Sequence, residues 1–232
     1  MFLSIKKLIK TYKNGDDVLT VLKSIDLDIK QGDICAILGP SGSGKSTLLN
    51  IIGGLETADS GEIEINGQKL LKASEKKLSD YRRNTLGFVF QSYNLISNLT
   101  VKENIETGMF LSKNPLNLEE LITELSLVDH QFKFPNQLSG GQQQRTSIGR
   151  AMIKNPKLLL CDEPTGALDY YTAKDVLSII EKMNRHYKTT IIIVTHNEAI
   201  AKMAHQVVKL RDGSIDSIVY NQNLLDVKDI DW

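Results

Sequence analysis

The chain has 232 residues, within the range of one α/β domain, and 41% of them are hydrophobic, enough for a substantial core. Lys+Arg and Asp+Glu are both 28, so the formal net charge is zero, which argues mildly against a sequence-independent nucleic-acid binder, a class that carries a basic excess. No window approaches the ~18 uninterrupted apolar residues of a membrane span, and Met1–Lys7 runs into no apolar signal-peptide core, so a soluble, cytoplasmic chain is expected, with any membrane role supplied by a partner.

In chain order, Val18–Lys30 reads as two β-like pieces closed by the turn Gln31-Gly32-Asp33. Ile34–Leu38 is a short continuous apolar run, the pattern of a buried parallel strand. A glycine-rich turn follows, then an apolar-periodic helix over Thr47–Ile52. Glu62–Gly67 alternates like a half-exposed strand and ends in an Asn-Gly turn. Leu86–Phe90 is another strand. Residues from about 93 to about 154 read as mostly helical, with breaks at Asn114-Pro115 and Pro135-Asn136. Lys157–Cys161 and Thr190–Thr195 are buried strands joined by a helix over Ala173–His186. Gln206–Leu210 and Ser214–Tyr220 flank Asp212-Gly213 as a hairpin, and the polar last dozen residues are expected to fray. Cys35 and Cys161 sit in apolar runs without metal-ligand spacing and read as buried, reduced thiols. Strands alternating with helices indicate a parallel α/β core. The helical stretch interrupts it as an inserted subdomain at 93–154, leaving a core of 1–92 and 155–232.

Three segments carry chemistry. Gly39-Pro40-Ser41-Gly42-Ser43-Gly44-Lys45-Ser46-Thr47 fits the phosphate-loop pattern G-x-x-x-x-G-K-[ST], after a strand and before a helix as that pattern requires. Glycines let backbone N–H groups converge on phosphates, and the helix adds its positive end. Lys45 then reaches the β- and γ-phosphates, Ser46 holds Mg²⁺, and Thr47 adds a hydroxyl. This defines only a nucleotide phosphate site. Second, Leu158–Cys161 ends in Asp162-Glu163, two acids at the carboxyl edge of a strand, where open α/β sheets bind ligands. Asp162 suits the Mg²⁺ shell and Glu163 the polarisation of an attacking water. A solvated acidic turn is the plain alternative. Third, Leu138-Ser139-Gly140-Gly141-Gln142 is a second glycine-bearing turn at a helix start, either a second anion site or an ordinary start capped by Ser139.

With these motifs in this order, the sequence resembles the ABC transporter ATPases over nearly its whole length. The resemblance implies a P-loop NTPase core with a parallel sheet, an antiparallel β subdomain and an inserted helical subdomain, with ATP and Mg²⁺ as ligands. It makes Ser139–Gln142 the signature turn and Gln91, in Phe90-Gln91-Ser92, the Q-loop glutamine that senses the γ-phosphate and joins the Mg²⁺ set. Asp169, in Ala167-Leu168-Asp169, becomes the D-loop acid and His196 the switch histidine. Tyr12 stands where the family stacks an aromatic on adenine. Each has an ordinary alternative: a solvated amide for Gln91, a satisfied strand-end histidine for His196, a partly buried structural ring for Tyr12.

A narrower resemblance is to the macrolide-export and lipoprotein-release branch, near the antimicrobial-peptide exporters. It rests on Tyr81-Arg82-Arg83 before Gly87–Gln91, on Pro135–Ser139 and on Pro164–Asp169, although Gly108–Glu120 is shorter than usual there. The resemblance implies a head-to-tail homodimer, each ATP lying between one chain's phosphate loop and the other's signature turn. It also implies a transmembrane permease received near Gln91 and residues 94–104, an extracytoplasmic adaptor, and a place on the cytoplasmic face of the membrane. The rival readings are a soluble ABC ATPase of DNA repair or translation, which needs a coiled-coil insertion or a second ATPase domain, and a small-molecule P-loop kinase, which needs an acceptor pocket instead of a signature turn.

Overall fold

Strand β1 (Leu3–Asn14) pairs antiparallel with β2 (Asp17–Ile29) from the start of the chain. The computed structural model describes residues 1–15 and 17–230. The sequence expects no strand before Val18, and the reason is visible in the pairing. Register shifts fall between Ile5 and Leu8, Leu8 and Lys10, and Lys10 and Thr11, and Lys7 has φ 48°. A strand that slips register loses its period of two. Nor is β2 two pieces: it is one strand with a left-handed residue, Ser24 at φ 58°, at mid-length.

After β3 (Ile34–Leu38), buried at every position, comes helix α1 (Lys45–Ile52). Then β4 (Ser60–Ile65) turns through Asn66-Gly67 into β5 (Gln68–Lys69). Helix α2 (Glu75–Asn84) escapes the sequence reading because only Leu78 and Tyr81 are buried, so its apolar face is one stripe wide. Strand β6 (Leu86–Val89) leads into the helical insert: α3 (Val101–Met109), α4 (Leu118–Glu124) and α5 (Gly140–Met152). Residues 93–100 and most of 125–139 are turns and single 3-10 turns, so the insert is less helical than expected. The chain closes with β7 (Leu158–Asp162), α6 (Tyr170–Tyr187), β8 (Thr190–Thr195) and the hairpin β9 (Gln206–Arg211) and β10 (Ser214–Tyr220).

Two sheets result. One is antiparallel, in the order β2-β1-β4-β5; the other runs β10-β9-β3-β8-β7-β6 and is parallel except for β10 at its edge. The two faces of the second sheet have separate cores. Ala36, Leu159, Cys161, Ile191 and Ile193 pack with α3, α4, α5 and α6. Cys35, Ile37, Leu160, Ile192 and Val194 pack with α1, α2 and the antiparallel sheet. The alternation follows the strand period of two, and both cysteines are buried and free. The insert is therefore continuous in packing with one sheet face. Each such buried Leu or Ile contributes about 1.5–3 kcal/mol, so the loops at the strand ends rest on a stiff base.

The C-terminal segment is not frayed. Asn221 donates to the carbonyls of Ala201 and Ala204 at 2.8 and 2.7 Å, and Val227 and Ile230 are buried in the core. Asp226 pairs with Arg185 at 2.6 Å. Two well-spaced apolar side chains suffice to dock a polar segment. Of the last dozen residues, 231 and 232 lie outside the described set.

Candidate functional site

The carboxyl ends of three parallel strands come level, because Leu38 pairs with Thr195 and Asp162 with Val194. Residues 39–47, 162–163 and 195–196 consequently leave the sheet side by side. The loop after β3 turns at Gly44, φ 99°, where an added Cβ would lie 2.9 Å from the Val21 carbonyl oxygen. Only glycine combines that φ with so close a strand. Helix α1 begins at Lys45 with no side-chain cap, so its first N–H groups and positive end face the loop. The Lys45 ammonium is buried and donates to the carbonyls of Gly39 and Pro40, both at 2.8 Å. Ser43 Oγ is buried without a protein partner.

The loop opens into a cleft of about 800 Å³ whose walls include Leu19, Ser41, Lys45, Ser46, Gln91, Glu163 and His196. That volume suits a nucleotide-sized ligand. Gly42, Gly44 and Thr47 complete the phosphate side.

Ser46 Oγ donates to Asp162 Oδ1 at 3.2 Å. Burial raises the Asp162 carboxyl above its ordinary pKa and neighbouring Glu163 adds to this, while the Ser46 hydroxyl and Lys45 pull it down. One hydroxyl beside one carboxylate fits Mg²⁺, a hard ion that takes one or two protein oxygens and completes its shell from phosphates and water. Among the described residues no cluster of three or more His, Cys, Asp or Glu forms a self-contained metal cage.

Glu163 is left-handed, φ 44°, and its N–H is bound to the Val194 carbonyl at 2.9 Å. One carboxylate oxygen accepts from Thr195 Oγ1 at 2.9 Å and the other lies 2.9 Å from His196 Nδ1. With the proton on Nδ1 the imidazole donates to the carboxylate. Thr195 escapes the sequence reading: a threonine ending a fully buried strand carries no signal beyond β propensity.

The remaining sequence candidates form a second group. Ser139 caps α5 in a capping box: its hydroxyl accepts from Gln142 N at 3.3 Å, and Gln142 Oε1 accepts from Ser139 N at 2.9 Å. Gly141 is so close to the Thr172 methyl that a Cβ would collide with it. Asp169 caps α6, accepting from Thr172 N and Thr172 Oγ1, which holds its carboxyl below the usual range. None of Ser139, Gly140, Gly141, Gln142 and Asp169 lines the cleft of its own chain. Two further residues escape the sequence reading. Arg150 on α5 donates to the carbonyls of Tyr93 and Asn94 at 3.0 and 2.6 Å, tying the signature helix to the segment after Gln91. His130 Nε2 lies 3.0 Å from Gln142 Nε2. A single Arg in a last helical turn reads as a dipole partner, and a lone His in a turn reads as nothing in particular.

A phosphate loop at the head of α1, beside a hydroxyl–carboxylate pair on a parallel sheet, defines a P-loop nucleotide-binding protein. The chain belongs to the ABC transporter family, matched over residues 22–166, and is an ABC-type ATPase cassette. It is 46% identical to an ABC transporter ATP-binding protein of Mycoplasma pneumoniae over 99% of this chain and 50% of that protein. It is 43% identical to the macrolide export ATP-binding/permease protein MacB of Escherichia coli K12, over 92% of this chain and 34% of that one. The chain thus spans about half the length, or less, of these relatives. An ATP-binding cassette of Methanocaldococcus jannaschii, solved as a dimer in a post-hydrolysis state with ADP and Pi, superposes with a TM-score of 0.86 at 37% identity. That match covers 94% of this chain and 98% of the other. These comparisons group the chain with MacB-like ABC ATPases.

Proposed function

We propose that this cassette binds ATP in the cleft above Lys45 and hydrolyses it to ADP and phosphate to drive a membrane permease. The observation that carries the reading is Glu163, fixed by Thr195 and His196 at the wall of the phosphate-loop cleft. A carboxylate with both oxygens oriented and a lone pair still free on each can accept a proton from water. Lys45 and the loop amides stabilise charge on the γ-phosphoryl group. Ser46, Asp162 and Gln91 would hold Mg²⁺, which when bound neutralises the phosphate oxygens. Gln91 and His196, both on the cleft wall, sense the γ-phosphate. Tyr12 stacks on the base, and Ser139–Gln142 with Asp169 serves the second copy of the chain.

No helix among the described residues is long and apolar enough to cross a membrane. Coupling to transport then requires a membrane-spanning part beyond the described residues; the MacB relative is named as an ATP-binding/permease protein. The insert exposes Ile96, Phe110, Phe132 and Phe134, and the permease docks on this subdomain. The finer reading is an exporter of macrolides, antimicrobial peptides or lipoproteins, with an extracytoplasmic adaptor and the cassette on the cytoplasmic face. Co-expression with a candidate permease should give a complex that survives detergent purification, and Phe132→Asp should release the cassette with its ATPase intact. Full ATPase activity with no membrane protein recovered would overturn the coupling.

Lys45→Ala should weaken ATP binding itself. A charge-assisted bond to phosphate is worth about 1.5–3 kcal/mol, or roughly 10- to 100-fold in Kd. Titration with a fluorescent ATP analogue reads this directly, and an unchanged Kd would remove the loop from nucleotide binding.

A further inference from the structure

We infer that Glu56 and Lys10 are positioning residues that hold the Tyr12 ring as a one-sided platform for the nucleobase. The inference rests on the reading of Tyr12 as the base-stacking residue and deepens it. Glu56 accepts the Tyr12 hydroxyl proton and pairs with Lys10 Nζ at 3.0 Å. That same ammonium lies over the Tyr12 ring, 4.9 Å from its centroid, and donates to the Thr57 carbonyl at 2.8 Å. Both anchors are shielded, with side chains 12% and 22% exposed, whereas Tyr12 is 41% exposed. A tyrosine packed for stability buries its ring, as Tyr81 does with its hydroxyl on the Ile52 carbonyl. Here the hydroxyl and one face are committed to charged groups and the rest of the ring is open.

The anchors also tie the ring to the phosphate end of the site. Glu56 and Leu55 donate their N–H groups to the Asn50 carbonyl on α1, at 3.3 and 2.9 Å. Asp59, a few residues on, takes the N–H and hydroxyl of Thr11, both at 2.6 Å. Across the antiparallel pair Tyr12 faces Leu19, which is exposed and forms part of the cleft wall. An ammonium on one face of an aromatic ring leaves the other for a neutral π system. The ligand class this suits is a nucleoside triphosphate bound by its base at Tyr12 and by its phosphates at Lys45, the ring being tied to α1 through Glu56 and Asn50.

The test compares ATP with tripolyphosphate, which carries the phosphates and no base, as competitors of a fluorescent ATP analogue. Glu56→Ala and Lys10→Met should each weaken ATP about 3- to 10-fold and leave tripolyphosphate unchanged, while Lys10→Arg keeps the cation and the wild-type ratio. Tyr12→Leu should lower the ATP-to-tripolyphosphate preference further than either. If Tyr12→Leu lowers the preference and Glu56→Ala and Lys10→Met do not, the positioning inference fails and the base-stacking reading stands. If Tyr12→Leu leaves the preference unchanged, the base-stacking reading fails and the inference falls with it. Equal weakening of both ligands by Glu56→Ala or Lys10→Met would mean these residues support the phosphate loop instead, which also overturns the inference.

Discussion

Glu163→Gln is expected to cut ATP turnover by at least ~10², the lower end of what a positioned general base contributes, while ATP binding stays near wild type. The amide keeps the length and planarity of the carboxylate. It can still accept from Thr195 Oγ1 through its carbonyl oxygen, so the left-handed turn after Asp162 has no reason to reorganise. What it loses is the basic oxygen now 2.9 Å from His196 Nδ1. Lys45, Ser46 and the loop amides are untouched, so the phosphates keep their partners. With hydrolysis stalled and binding intact, ATP should hold two copies together, and the variant should elute as a dimer on size exclusion in ATP and as a monomer without it. Near-normal turnover would remove Glu163 from the role of base and shift attention to His196.

Much of this site was legible in the sequence because its chemistry lies in short contiguous patterns. The loop 39–47 and the pair Asp162-Glu163 follow apolar strands whose ends the sequence also marks, so their convergence on one sheet edge could be read before any coordinates. The positions that escaped act through residues far away in the chain. Thr195 orients Glu163 from 32 residues on, and Arg150 reaches Asn94 from 56 residues on. Neither residue type announces such a partner. The fold was less legible wherever local periodicity was spoiled. β1 changes register three times, and α2 buries only Leu78 and Tyr81. The docked tail was lost because burial of Val227 and Ile230 depends on a groove made by α6 and the loop before β9, not on the tail's own composition.

Mixing two inactive variants, Lys45→Ala and Ser139→Arg, should restore part of the ATPase activity, and this follows from where the two phosphate-binding turns stand. The cleft of one chain is walled by Ser41, Gly42, Gly44–Thr47, Gln91, Glu163 and His196, and by none of Ser139–Gln142. An ATP held there keeps one side of its γ-phosphate open, and hydrolysis needs that side closed to all but the attacking water. The signature turn has the groups to close it: the exposed Ser139 with its hydroxyl and two glycines at the head of the 13-residue helix α5. It cannot fold over its own cleft without breaking the packing of α5 against β6 and α6, which belongs to the larger of the two cores. A two-fold pair satisfies both demands, because each signature turn then meets the other chain's cleft and two sites close at once. The dimeric state of the Methanocaldococcus jannaschii cassette supports this arrangement. In a mixed pair one site combines both defects. The other joins the intact loop of the Ser139→Arg chain to the intact signature of the Lys45→Ala chain. Up to half of the pairs formed at equal concentrations are mixed, and each has one sound site, so recovery should approach a quarter of the wild-type rate if the sites act independently. Wild-type activity per chain should also rise with protein concentration. No recovery on mixing, together with a specific activity constant down to nanomolar protein, would mean that the site is complete within one chain.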